Sequence, residues 1–304
     1  MTAIQNARIS LDGLSVGDAF GQMFFVPDEE AIRNIESRIM PSSPWYLTDD
    51  TIMSIGVIET LEKHGKIDPD FLASRFASNY TRNPRRGYGG MAHHILQAIV
   101  KGENWRAVAP AVFDGSGSYG NGAAMRAAPI GAYFADQPKK LIEQAKSSAA
   151  VTHSHQDGIA GAVAVAAVAG WIIRNGPVSS KDGYKILEYA IECVDSGDTK
   201  NGIAKALSLP FSYSIKTAVS VLGNGEMLSA SDTVPFALWC VARHITDYSD
   251  ALWTTVSALG DRDTTCAIVG SLVALNHKVT SVPDHWIKSR ESLTDWESCD
   301  EVWS

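Results

Sequence analysis

The chain has 304 residues, 45% of them hydrophobic and 20% charged, which is enough apolar material for a large buried core and excludes a disordered chain. With 26 Lys and Arg against 34 Asp and Glu the formal net charge is -8, which argues against general nucleic-acid binding and against an acidic membrane surface. Any anionic ligand must then be held by local donors or by bound metal. No uninterrupted apolar stretch approaches the roughly 20 residues of a membrane span, and the first residues lack a basic start followed by an apolar run, so no secretory signal is expected. Cys193, Cys240, Cys266 and Cys299 lie far apart without a CxxC pair. They read as reduced thiols of a cytoplasmic protein rather than as a disulfide or zinc framework.

In chain order, the first feature is Gly13, Gly17 and Gly21, spaced by four and so on one helical stripe. Close helix packing is the expected role, with Asp18 a buried acid or a group supporting a site. Asp28, Glu29 and Glu30 follow in an expected loop. Thr48-Asp49-Asp50-Thr51 then opens a helix whose apolar positions Ile52, Ile55, Ile58 and Leu61 recur every three residues, with Gly65 as the stop. The two aspartates are either helix-capping residues or hard oxygen ligands at a helix start.

Loops are expected over Pro41–Trp45, Asn83–Gly90, Asp114–Gly122, Asn175–Gly183 and Leu222–Met227. The third of these, Gly115-Ser116-Gly117-Ser118-Tyr119-Gly120-Asn121-Gly122, runs toward Met125 and Arg126. As a glycine-dense loop entering a helix it would expose backbone N–H groups to an anion, although it does not match the nucleoside-triphosphate P-loop. Met125 reads as core and Arg126 as a structural ion-pair partner. In Thr152-His153-Ser154-His155 the histidines are two apart and share no helix face, so one is expected to face a pocket while the other caps or bonds backbone. Ile159 to Ile173 and Ala267 to Leu275 read as apolar helices.

Gly260-Asp261-Arg262-Asp263-Thr264-Thr265 repeats the acidic helix start. A calcium EF-hand is excluded, because Cys266 and Leu272 stand where that loop needs Gly and Glu. The DDxxD pattern is excluded by Met53. If the two acidic starts meet, Asp49, Asp50, Asp261 and Asp263 converge, and each pair at ~4 Å would repel by roughly 4 kcal/mol at an effective dielectric of 20. Raised pKa values or bound cations must relieve this, and an all-oxygen donor set selects Mg²⁺, Mn²⁺ or Ca²⁺ over zinc. The final segment, Pro283 to Ser304, reads equally as an ordered strap or a loose tail. An all-α fold of many helices in one domain, residues 1–304, is the overall expectation.

Taken in order, the segments GLSVGDAFG, TDDT, GNGAAMRAAPIG, THSHQDGIAGA and GDRDTTCAIVG resemble the ADP-ribosylglycohydrolase family, which includes bacterial dinitrogenase reductase-activating glycohydrolases and eukaryotic ADP-ribosyl-acceptor hydrolases. The resemblance implies a compact orthogonal multi-helix bundle with a dinuclear metal cleft. It implies that Thr48, Asp49, Asp50, Asp261, Asp263 and Thr264 hold two Mg²⁺ or Mn²⁺ ions. It further implies that Gly117, Ser118, Tyr119, Gly120, Asn121 and His153 hold the diphosphate and neighbouring ribose of ADP-ribose. Asp49 and Asp263 become the catalytic candidates, joined by Glu29 as the acid from an early loop. Arg262 departs from the small or β-branched residue usual at its position, so it would face the substrate or point to solvent.

The implied activity is metal-dependent removal of ADP-ribose from a modified protein, with arginine as the first acceptor and immunity against an ADP-ribosylating toxin as one setting. The alternatives are serine-linked or free-metabolite conjugates, or a catalytically silent ADP-ribose-binding protein. Retention of the four aspartates argues against the last.

Overall fold

The glycine stripe determines the centre of the molecule. In the computed structural model, which describes residues 1–296, α1 (Ala3–Gln22) lies antiparallel against α15 (Arg262–Val273). A Cβ built on Gly13, Gly17 or Gly21 would fall 2.3, 2.1 or 2.2 Å from the carbonyl oxygens of Gly270, Cys266 and Arg262. Only hydrogen side chains allow the two backbones to come this close. Tyr248 reinforces the seam by donating its hydroxyl to Gly13 O at 2.7 Å.

Between these helices the chain forms α2 (Asp28–Glu36), α3 (Asp49–His64), α4 (Pro69–Arg82), α5 (Gly90–Val100) and α6 (Trp105–Ala111). It continues through α7 (Ala128–Tyr133), α8 (Pro138–Ala150), α9 (Gln156–Asn175), α10 (Gly183–Cys193) and α11 (Asp198–Ser208). Then come α12 (Ile215–Leu222), α13 (Ala230–His244) and α14 (Tyr248–Val256), and after α15 a short α16 (Asp284–Ser289). Among the described residues there is no β-strand, only isolated bridges pairing Trp45 with Arg290 and Gly120 with Ser229. The all-α expectation holds.

The Ala-rich helix α9 is long and apolar enough to cross a membrane, but most of it is buried inside the protein. It packs on α7, where a Cβ on Gly131 would sit 1.9 Å from Ala166 O. Gly65 ends α3 in the left-handed conformation, φ 63°, as a helix-terminating glycine does. One local expectation needs correction. Asp28, Glu29 and Glu30 form the first turn of α2 rather than a loop, because acidic side chains stabilise a helix N-terminus. The second acidic cluster does open a helix, which starts at Arg262 with Asp261 before it, and Thr265 turns its hydroxyl back onto Asp261 O at 2.7 Å.

The described part of the C-terminal segment is ordered. Trp286 stacks on Phe20 with ring centroids 4.7 Å apart. Glu291 is buried, accepts from Leu47 N at 2.8 Å, and takes both terminal nitrogens of the fully buried Arg86 at 2.6 and 3.0 Å. The Arg86 carbonyl in turn accepts from Asp49 N at 2.6 Å. The strap therefore clamps the loop that leads into α3. Cys193, Cys240 and Cys266 are free thiols, and Cys299 lies outside the described residues.

Candidate active site

The seam between α1 and α15 places Asp18 beside the start of α3. Asp18 is fully buried and accepts from Thr48 N at 3.0 Å, Thr48 Oγ1 at 2.7 Å, Thr51 N at 3.2 Å and the Thr51 hydroxyl. A carboxylate thus occupies the electropositive N-terminus of α3, where unpaired N–H groups favour it. One oxygen each from Asp18, Asp50 and Asp263 lies within 4.8 Å of the others. Asp18 is thus a fifth acid at the site, beyond the ligand set that the family resemblance implies. Its place between Gly17 and Gly21, on a helix that must touch another backbone, was the available signal.

The two acidic helix starts do share one cleft, of about 360 Å³. Asp49, Asp50, Asp261, Asp263 and Thr264 line it together with Ser118, Tyr119, Gly120, Asn121 and His153. Thr48 lies behind them, fully buried, with its hydroxyl 3.1 Å from Asp50 Oδ2 as well as against Asp18. Asn121 donates from Nδ2 to Asp261 Oδ2 at 2.6 Å, so it aims a carboxylate as well as lining the cleft.

The electrostatics follow from packing five acids into little space. Burial, then the charge of Asp263, pushes Asp18 up to about 7. Burial and neighbouring carboxylates push Asp49, Asp50 and Asp261 well above the usual carboxylate range. Burial also raises Asp263. Asp50 Oδ1 is buried with no hydrogen-bond partner. An orphaned carboxylate oxygen among clustered acids fits a hard divalent cation, which would satisfy the oxygen and neutralise the charge. The acidic triad can hold such an ion.

The opposite wall is built from the glycine loop and the histidine segment. Gly120 opens a 3₁₀ turn, Asn121–Ala123, rather than the α-helix expected there. Gly117, φ 74°, packs where a Cβ would fall 1.9 Å from Ser154 Oγ. It therefore shapes the loop from behind and does not line the cleft. His155 caps α9 by accepting from Asp157 N at 3.1 Å, while His153 faces the cleft. Arg126 is fully buried and lines the cleft. It donates to Gly122 O, Ser148 O and Thr152 Oγ1 instead of forming the ion pair expected of it.

At the mouth, Tyr119 is joined by groups not singled out from sequence. Phe113 and Tyr119, both partly exposed, set their rings 5.1 Å apart, and Met91, Met227 and Leu228 complete an apolar rim. Phe113 directly precedes the glycine loop, which was the only sequence hint.

Two expectations are not met by the placement of residues. Glu29 stands exposed on the first turn of α2 and does not line the cleft. Arg262 faces neither substrate nor solvent. It is buried, donates to Phe24 O and to Asp28 Oδ1 at 2.7 Å, and lies over the Phe25 ring. It ties the start of α15 to the α1–α2 connection.

A family model described as ADP-ribosylglycohydrolase matches residues 1–302. The chain belongs to the ADP-ribosylglycohydrolase family. Its chemistry is hydrolysis of ADP-ribose conjugates. Among relatives, the protein named ADP-ribosylhydrolase ARH3 of Mus musculus is 28% identical over 96% of this chain and 89% of its own length. The ADP-ribosyl-[dinitrogen reductase] glycohydrolase of Rhodospirillum rubrum is 24% identical over 94% of this chain and 90% of its own. A solved structure titled ADP-ribosylglycohydrolase-related protein complex superposes with a TM-score of 0.67 at 21% identity, covering 97% of this chain and 95% of that one. That last likeness concerns the fold.

Proposed function

We propose that this family member removes ADP-ribose from a modified protein side chain, with arginine as the acceptor and two Mg²⁺ or Mn²⁺ ions as cofactor. The observation that carries the reading is the single cleft whose floor is Asp49, Asp50, Asp261 and Asp263 and whose wall is Ser118 to Asn121 with His153. In this reading the acids take the reacting sugar, and the Ser118 to Asn121 segment with His153 takes the diphosphate.

Asp18, Asp50, Asp261 and Asp263, with Thr48 and Thr264, would hold the cations. When bound, a divalent cation supplies Lewis-acid polarisation and favours deprotonation of water near neutral pH. The chain's own residues do the rest. The glycine loop and His153 fix the diphosphate, which supplies binding energy remote from the reacting carbon. Phe113 and Tyr119 offer aromatic faces to the adenine at the cleft mouth. Asp49, on the cleft surface, accepts the proton of the attacking water. The water oxygen bonds to the anomeric carbon of the distal ribose, the bond from that carbon to the acceptor breaks, and the acceptor takes up a proton. The surrounding carboxylates stabilise positive charge developing on the sugar. Glu29 has no part in this reading.

Arginine is supported by the acidic lip beyond Asp261, where a neighbouring groove carries Glu226 and suits a cationic guanidinium; Asp28 in the same groove is already paired with Arg262. Removing ADP-ribose from arginine would reverse the mark left by an arginine-modifying toxin, which is the setting we assign. The higher identity to the ARH3 relative than to the dinitrogen-reductase enzyme favours a second reading, a serine-linked or small-molecule conjugate. The test is release of ADP-ribose from arginine-linked, serine-linked and free conjugates with Mg²⁺, Mn²⁺ or chelator. Cation-dependent release from the arginine conjugate is expected. Release from another conjugate alone moves the acceptor, and release unaffected by chelator or by Asp263→Ala removes the cation assignment.

A further inference from the structure

Arg126 is a buried cation that touches no carboxylate among the described residues, and it is joined to the cleft by a chain of three groups. Its Nη2 donates to Thr152 Oγ1 at 2.8 Å, and Thr152 Oγ1 lies 2.7 Å from His153 Nδ1. A guanidinium only donates, so the Thr152 oxygen is an acceptor in the first contact. The hydroxyl has one proton of its own. Thr152 is buried, and His153 Nδ1 is the one acceptor that the described residues offer that proton. Were Nδ1 itself protonated, two donors would aim at one oxygen and the hydroxyl proton would be stranded in the core. Satisfying every group requires the hydroxyl to donate to Nδ1.

We propose that Arg126 is a positioning residue that acts through Thr152 to hold His153 in its Nε2–H tautomer, so that a fixed N–H donor enters the cleft toward a phosphate oxygen. The rest of the environment agrees. Nε2 has no protein partner among the described residues, and it lies beneath glycines that leave it uncovered. A Cβ on Gly120 would come within 3.2 Å of Nε2, and one on Gly122 within 3.1 Å of Cε1. Burial, then the charge of Arg126, pushes the imidazole down to about 3, so the ring is neutral and keeps a single N–H. A neutral donor of fixed tautomer suits a phosphate oxygen, which only accepts. The identity of that ligand rests on the ADP-ribose reading above, whereas the tautomer does not.

The experiment is a long-range ¹H–¹⁵N spectrum of the labelled, ligand-free protein, with the His153 signals assigned by their loss in His153→Gln. A protonated Nε2 and an unprotonated Nδ1 are expected. Thr152→Val keeps the shape of the side chain and removes the hydroxyl. It should mix the two tautomers and weaken ADP-ribose binding about ten-fold, the size of one hydrogen bond to a charged group. Thr152→Ser should restore both. An Nδ1–H ring in the unaltered protein, or a tautomer that survives Thr152→Val, overturns the proposal. A protein that shows the expected tautomer but binds no ADP-ribose overturns the ligand reading and leaves the relay from Arg126 standing.

Discussion

Asp18 and Asp263 bring carboxylate oxygens within 4.8 Å of each other across the seam where α1 and α15 meet backbone to backbone. The first acid is held by four donors from the start of α3, and the second lies in the first turn of α15. Three helices therefore meet at one charged point, and the glycines of α1 make the meeting possible.

Gly17→Ala tests that dependence. The added methyl would fall 2.1 Å from Cys266 O, a backbone atom that cannot swing aside, so α1 must move off α15. A loss of roughly 1–3 kcal/mol is expected from overpacking, read by denaturant unfolding. Titration calorimetry should show Mn²⁺ binding weakened in the same variant. Tight Mn²⁺ binding at undiminished affinity would separate the seam from the site.

The acid cluster predicts a pH dependence that cations should abolish. Asp18 titrates near 3.8 when unfolded and is pushed up to about 7 when folded, and its neighbours are also raised. The folded state thus holds more protons, and this stabilisation, complete below 3.8, is lost as pH rises through about 7. His153 works in the opposite direction, but only below its unfolded value of 6.5. Between about pH 6.5 and about 8 the carboxylates alone decide, and Tm of the chelated protein should fall by roughly 3 °C or more. Saturating Mg²⁺ should flatten the curve, as calorimetric melts can check.

Phe113 and Tyr119 should matter to the base and not to the sugar phosphate. Replacing either ring with Ala is expected to weaken ADP-ribose binding by about ten-fold, in line with roughly 1–3 kcal/mol for stacking one base. Ribose 5-phosphate should bind both variants as it binds the unaltered protein. An equal loss for both ligands would place the rings somewhere other than against adenine.

The buried pair of Arg86 and Glu291 should control the site from a distance. Glu291→Ala strands a guanidinium that is fully buried and frees Leu47 N, a loss of about 3–5 kcal/mol. Because Arg86 O holds Asp49 N, cation affinity should fall together with stability.

Much of this was readable in the residues. Both acidic corners announced themselves as aspartates beside threonine at a helix start, and the glycine spacing foretold a close helix contact. Identity and order of residues cannot show which helix lies across that contact, so the link from Gly17 to Cys266, and with it the place of Asp18, emerged only in three dimensions. Arg126 misled for a related reason. A buried arginine is expected to find a carboxylate, but here three oxygens from backbone and threonine take its hydrogens. Glu29 shows the limit of reading a charge run, since the same three acids serve a solvated loop or a helix start equally well.

The pairing of α1 with α15 also has a bearing on biosynthesis. One wall of the cation pocket is made within the first fifty or so positions, and the other emerges from the ribosome only after α14. Until then α1 must keep a bare glycine edge whose partner helix is not yet synthesised. Hydrolytic competence should accordingly arrive all at once, and only after α15 has left the ribosome.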